Sequence, residues 1–329
     1  MIKISVAIPV RNEANNIRRL IERLLSQTRP PDEIVITDGG STDNTAEIIT
    51  EFIDNGSPVR LIRAGEALPG RGRNLAASVA TNDWIAFIDA GIEPAKDWLE
   101  LLSSTVENDS TVDVVYGEVE PIIDSFFAEC AAITYVQRAD ITRHGFIASS
   151  LMKRSVWKSV GGFPEDLRSA EDLLFMEQIE RAGFNYIREP RAVVHWQLQR
   201  TFASTTKRFI VYARNNMRAG LWRRWQRPVF SRYLMLVALA AVILLVSPKL
   251  IWLPFGLWLL MLLARAIVAI RRNGARYPAG AGRNFKRLVI VIPLLATLDA
   301  AAFIGSIQWL FVDWFRGQRK PAVEARNGA

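Results

Sequence analysis

The sequence predicts an α/β domain built on a mostly parallel sheet and followed by membrane helices. Three observations carry that prediction. From Ile2 to about Arg200, short β-branched runs alternate with segments of helical period. After Ala213 the composition shifts to long apolar runs framed by arginine. The chain as a whole is 50% hydrophobic over 329 residues, with a mean hydropathy of +0.11, high for a soluble protein.

The strands come first. Ile4 to Pro9 is a short apolar run, and Asn15 to Leu25 then places Ile17, Leu20, Ile21, Leu24 and Leu25 on one helical face. Glu33 to Thr37 reads as a second buried strand, with Ser41 or Thr42 as cap for a helix through Ile48, Ile49 and Ile53. Val59 to Ile62 and Trp84 to Ile88 are further strands, and Arg73 to Ala80 is the helix between them. In parallel sheets of this kind ligands bind beyond the C-terminal strand ends. Pro9 to Glu13, Asp38 to Asp43 and Asp89 to Gly91 are therefore expected to share one crevice.

The domain limits follow from composition. Residues 1–213 form the α/β domain and 214–232 a basic juxtamembrane segment. An apolar helical hairpin is expected over 233–270, turning at Ser247, Pro248 and Lys249. A basic loop over 271–287 leads to a third apolar segment, 288–312, interrupted by Pro293, Asp299 and Gln308 and read as either a span or a re-entrant helix. Asp299 suggests a polar cavity or a pair with a nearby arginine. The tail is 313–329, and from Gly317 onward it is expected to be disordered. The opening MIKISVAIPV runs straight into a strand, so no leader is expected.

Charge and cysteine content narrow the function. The formal charge is +8, and about half of the Lys and Arg follow Arg200, where the only acids are Asp299, Asp313 and Glu324. Basic residues crowding apolar segments point to a membrane with the α/β domain on its cytoplasmic side. No nucleic-acid motif accompanies them, which argues against nucleic acid as partner. The single Cys130 excludes an internal disulfide and a cysteine metal cluster, and reads as a small buried residue.

The chemistry lies in an ordered set of motifs. IVITDGGSTDNT, Ile34 to Thr45, puts a carboxylate at a strand end, then a glycine turn rich in hydrogen-bonding side chains. Read with Pro9, Val10, Arg11, Asn12 and Glu13, with GRGRNLAASVA at Gly70 to Ala80, with FIDAG at Phe87 to Gly91, and with GGFPEDL followed by Glu171 and Asp172, the chain resembles family 2 inverting glycosyltransferases of the GT-A fold.

That resemblance implies roles for particular residues. Pro9, Asn12, Glu13 and Asp38 would hold the nucleoside of a nucleotide-sugar donor, with Arg71 and Arg73 toward its diphosphate or sugar and Asn74 shaping their loop. Asp89 matches the first acid of a metal-binding DXD motif for Mg²⁺ or Mn²⁺, but Gly91 stands where the last acid belongs. His195, in AVVHW, would be the other metal ligand. Asp172 would be the catalytic base, with Glu171 orienting the acceptor. Trp196 and Arg200 would line the acceptor side, whereas His144 reads as a surface histidine. The implied acceptor is a membrane lipid or glycolipid and the implied donor a UDP-sugar. Two rival readings remain. A processive polysaccharide synthase would need a QxxRW motif, and here WQLQRTF has Arg200 without the Arg-Trp pair. A nucleotide-sugar-binding protein without catalysis would account for Gly91.

Overall fold

The computed structural model describes residues 1–136 and 145–315; His144 and the tail beyond 315 lie outside them. In chain order the elements are β1 (Ile4–Val10), α1 (Ile17–Leu25), β2 (Glu33–Asp38), α2 (Thr45–Asp54), β3 (Val59–Arg63), α3 (Pro69–Val79), β4 (Trp84–Phe87), β5 (Ile92–Pro94), α4 (Trp98–Asn108), β6 (Val114–Ile122), α5 (Phe126–Tyr135), β7 (Ser150–Lys153), α6 (Arg154–Ser159), α7 (Glu171–Arg181) and β8 (Tyr186–Gln197). They continue with α8 (Phe202–Arg218), α9 (Trp222–Trp225), α10 (Arg227–Val246), α11 (Trp252–Arg272) and α12 (Ala281–Gln308), which runs on through a π-helical stretch, Trp309–Trp314.

The chain forms two compact units. The second comprises α5 together with the chain from Leu198 onward, and the remainder makes the first. In the first unit the strands form one sheet in the order β3-β2-β1-β4-β7-β6-β8-β5. β3, β2, β1 and β4 pair in parallel, as alternating strands and helices require. Beyond β4 the sheet is mixed, because β7 runs antiparallel to both β4 and β6, and β5 antiparallel to β8.

Both faces of this sheet are covered, which explains why β1 and β2 read as unbroken apolar runs. Ile4, Val6, Ile8 and Val10 of β1 face α1 and α4, while Ala7 faces α3, α6 and α7. α3 begins at Pro69, four residues before the helical period becomes visible. Its glycines hid that start, since they read as loop, but each marks a close approach. A Cβ on Gly70 would lie 2.0 Å from the Pro164 carbonyl oxygen, and one on Gly72 would lie 2.9 Å from the Pro9 Cβ.

In the second unit, α10, α11 and the helix from Ala281 to Trp314 are each long and apolar enough to cross a membrane. α10 and α11 join through a short turn at Pro248–Leu250. The third apolar segment is continuous helix through Pro293, and Ala281–Arg287 of the basic stretch before it is already helical. Cys130 of α5 is buried, and burial pushes its thiol up to about 11, so it stays protonated and inert.

Candidate active site

The C-terminal ends of β1 and β2 are laced together by short polar side chains. Asp38 ends β2 and is buried, and its Oδ1 accepts from the Ser41 amide at 2.9 Å and the Ser41 hydroxyl at 2.6 Å. The Ser41 Oγ in turn accepts from the Asn12 amide at 2.9 Å, while Asn12 Oδ1 accepts from the Thr42 amide at 2.8 Å. Ser41 and Thr42 thus bind the two loops together and do not cap α2. That helix starts at Thr45, whose amide and hydroxyl donate to Asp43. The Glu13 amide donates to Thr45 Oγ1 at 2.8 Å, and Glu13 Oε2 accepts from Asn16. Asn12 adopts φ 57°, a conformation an asparagine tolerates better than most residues.

Pro9 connects this network to the next. It lies against Gly72, one residue before Arg73 on the buried face of α3. Arg73 is 4% exposed. Its Nη1 donates to Glu171 Oε1 at 2.7 Å and its Nη2 to Asp89 Oδ1 at 2.6 Å. The guanidinium also lies over the Phe163 ring at 5.4 Å, and Phe163 stacks on Phe175. Burial works against the Arg73 charge, yet the carboxylates of Asp89, Glu171 and Asp172 outweigh it and raise its pKa further. Arg71, by contrast, is exposed at the start of α3. Asn74 holds the loop ahead of α7, donating to the Phe163 carbonyl and Glu165 while accepting from the Phe163 amide and Trp157.

Glu171 and Asp172 open α7, and the residue before them is strained. Ala170 has φ 72°, and it and Asn12 are the non-glycine residues with positive φ among the described residues, both at this site. Burial raises the Glu171 carboxyl to about 7, with Asp172 adding to the shift and Arg73 opposing it. Burial also raises Asp172, opposed by Arg73 and by the Leu173 amide, which donates to Asp172 Oδ1 at 2.8 Å. Sequence reasoning missed Ala170, since nothing in an alanine signals a left-handed backbone.

Of the other expected residues, His195 and Trp196 lie on β8 and Arg200 follows it in the chain. His195 lies in β8, level with Glu93 of β5 and Glu120 of β6. Glu93 is held by Arg19 at 2.8 Å and Arg23 at 3.0 Å. Trp196 pairs with Ile92 and packs on the core shared by α1 and α4. Arg200, in the second unit, is paired with Asp124 at 2.7 Å. Among the described residues no three His, Cys, Asp or Glu side chains group to hold a metal by themselves. Asp89 nevertheless suits Mg²⁺ or Mn²⁺ shared with a substrate. Its side chain is 38% exposed and only Oδ1 is taken by Arg73, while a Cβ on Gly91 would meet nothing within 4 Å. Such ions are commonly held by one or two carboxylates, water and the substrate's own phosphates.

A sheet of this topology, with its polar residues gathered at the ends of β1, β2 and β4, is a Rossmann-like α/β fold of the GT-A kind. Residues 5–147 match the family described as Glycosyl transferase family 2. Glycosyltransferase AglE of Haloferax volcanii is 30% identical over 197 residues, which are 55% of this chain and 62% of that protein. The pre-mycofactocin glycosyltransferase of Mycobacterium tuberculosis is 27% identical over 58% of this chain and 42% of its own. The chain thus spans less than two thirds of the length of these relatives. In fold it is similar to the mannosyltransferase PcManGT of Pyrobaculum calidifontis, solved with GDP-Man and Mn²⁺, at a TM-score of 0.56 and 20% identity over 94% of this chain and 87% of that one.

The raised Glu171 has a consequence for stability. Its pKa goes from 4.5 to about 7 in the fold, so the native state binds that proton more tightly than the unfolded chain. Stability is therefore greatest at low pH within this window and declines as pH rises from 4.5 to about 7. Melting temperatures measured across that range should fall for the wild type and fall less steeply for Glu171→Gln. Equal slopes would remove Glu171 as the source.

Proposed function

We propose that the chain is an inverting glycosyltransferase that moves a sugar from a nucleotide diphosphate sugar, with UDP as the first candidate, to a hydroxyl or phosphate of a membrane lipid or glycolipid. The observation that carries this reading is the union of Asp89, Glu171 and Asp172 around Arg73, reached through Pro9 from the Asn12–Ser41–Asp38 network. Those two parts suit the two halves of one reaction. The network supplies hydrogen-bonding groups for a nucleoside. The carboxylate cluster supplies a base beside the place where a sugar would be displaced. The S. aureus protein TarS, similar in fold at a TM-score of 0.50 and 16% identity, was solved in complex with UDP.

In this reading Asp172 takes the acceptor's proton as the acceptor oxygen bonds to the anomeric carbon, and the nucleotide diphosphate departs from the opposite face. Arg73 cannot be that base, because it stays protonated. It holds Glu171 and Asp89 in place, while the Asp172 carboxylate accepts from the Leu173 amide. Glu171 orients the acceptor hydroxyl. A divalent cation held by Asp89, with His195 as a further ligand, would neutralise charge on the departing diphosphate. Trp196 and Arg200 are assigned to the acceptor side.

The membrane part of the proposal rests on the three apolar helices and their basic flanks. Arg223, Arg224 and Arg227 lead into α10, and Arg271 and Arg272 end α11, so a crossing hairpin returns these charges to one side, taken to be the cytoplasm of the inner membrane.

Each part has its own test. Asp172→Asn keeps the Leu173 hydrogen bond but removes the base, and should lower kcat by about two to four orders of magnitude with little change in donor affinity. Near-normal turnover would rule Asp172 out. Chelation should abolish transfer, and Asp89→Ala should raise the cation concentration needed for half-maximal rate; full activity in excess chelator would overturn the cation's role. For the topology, single cysteines at Ser247 and Gly280 in a Cys130→Ala background can be exposed to an impermeant thiol reagent on intact cells. Only Ser247 should label, and labelling of Gly280 alone would reverse the orientation.

A further inference from the structure

The membrane-length helices gather a set of charges that does not balance. Asp299 of α12 is buried, and its carboxylate accepts from Arg265 of α11 at 2.5 and 3.1 Å and from the Tyr233 hydroxyl of α10 at 3.1 Å. Trp258 donates to that same hydroxyl at 3.0 Å. Arg265 and Asp299 thus make a two-pronged pair that is complete in itself. A second arginine, Arg232 of α10, reaches the carboxylate only at 3.5 Å, and its buried Nε has no hydrogen-bond partner among the described residues.

One carboxylate therefore serves two guanidinium groups. α10 and α11 contain no acidic residue, and α12 contains only Asp299. Asp313, just beyond, is engaged by both prongs of Arg214 at 2.8 and 3.0 Å. Nothing else on these helices can offset the remaining positive charge. An unbalanced charge on an apolar helix is costly in hydrocarbon, so a counter-charge is expected from outside the protein.

The position of the pair says where that counter-charge comes from. Arg232 is the sixth residue of α10 and Arg265 precedes the end of α11 by seven residues, which puts them about 8 and about 10 Å along the helices from their arginine-bearing ends. That is within reach of the head-group layer for an extended arginine side chain. The flanking residues Leu234 and Met235 are exposed and apolar, a surface suited to acyl chains. A guanidinium fork matches phosphate oxygens in shape and charge.

We propose that Arg232, beside the closed Arg265–Asp299 pair, binds the phosphate of an anionic lipid at this place between α10, α11 and α12. The inference rests on the membrane reading of these helices given above. The full chain can be reconstituted into vesicles of phosphatidylcholine with or without phosphatidylglycerol, and its melting temperature and retained lipid measured. The wild type should be stabilised by phosphatidylglycerol and retain it through purification. Arg232→Gln leaves the Arg265–Asp299 pair neutral and removes the unbalanced charge, so it should melt no lower than the wild type in phosphatidylcholine and lose both responses to phosphatidylglycerol. Asp299→Asn, with two uncompensated arginines, should retain more of that lipid. The site is overturned if Arg232→Gln responds as the wild type does, or if inorganic phosphate alone reproduces the wild-type shift. A chain that floats with neither vesicle would sink the membrane reading and this site together, a result separable from the first by flotation alone.

Discussion

The buried guanidinium of Arg73 is the constraint on which the site depends. A charge taken out of water is tolerated only when opposite charge answers it at close range, and here Asp89, just past β4, and Glu171, at the start of α7, accept from its two Nη groups. The ion pairs therefore fix where β4 ends and where α7 begins, relative to α3. The aromatic wall of Phe163, with Phe87 and Phe175 packed on it, keeps water out and strengthens those pairs. Gly70 and Gly72 belong to the same constraint. They let α3 approach Pro164 and Pro9 closely enough for Arg73 to reach both carboxylates.

The same burial shapes the chemistry. Three carboxylates crowd one guanidinium, and burial, with the neighbouring acids adding to it, makes Glu171 and Asp172 hold protons more tightly than usual. In the proposed reading the raised proton affinity of Asp172 is the direction a base requires. For the donor it creates a difficulty, since a diphosphate would be repelled by exposed acid at Asp89. In the proposed reading a divalent cation at Asp89 would offset that repulsion, whereas Arg73 is already engaged on both prongs.

Much of this was legible in the sequence. β1, β2 and β4 and the order of motifs emerged from β-branched runs and from acids and glycines at strand ends, because parallel strands buried on both faces leave a strong apolar signal. What was not legible had physical causes. The mixed half of the sheet depends on β5 and β7, of three and four residues, too short to show a period. Ser41 and Thr42 looked like helix caps because capping and loop-bridging use the same hydroxyls; only the fold decides which amide they meet. The two arginines of GRGRN could not be told apart by spacing, yet Arg71 is exposed while Arg73 is buried.

Basic residues in the second unit were read from sequence as flanks for a membrane, and the structure divides them into two populations. Arg214, Arg265 and Arg287 are consumed internally, by Asp313, Asp299 and Glu129, and tie helices to one another. Arg287 is buried and bonds Glu129 of α5, so it serves as an internal tie and not as a surface charge. Sequence counts cannot separate these uses, because an arginine looks the same whether an acid distant in sequence answers it or not. The separating quantity is the local balance of charge. At Arg73 acids exceed arginines and the site favours protons and cations; at Asp299 arginines exceed acids and the site favours an anion. The sign of each imbalance thus indicates the kind of ligand each place is built to receive.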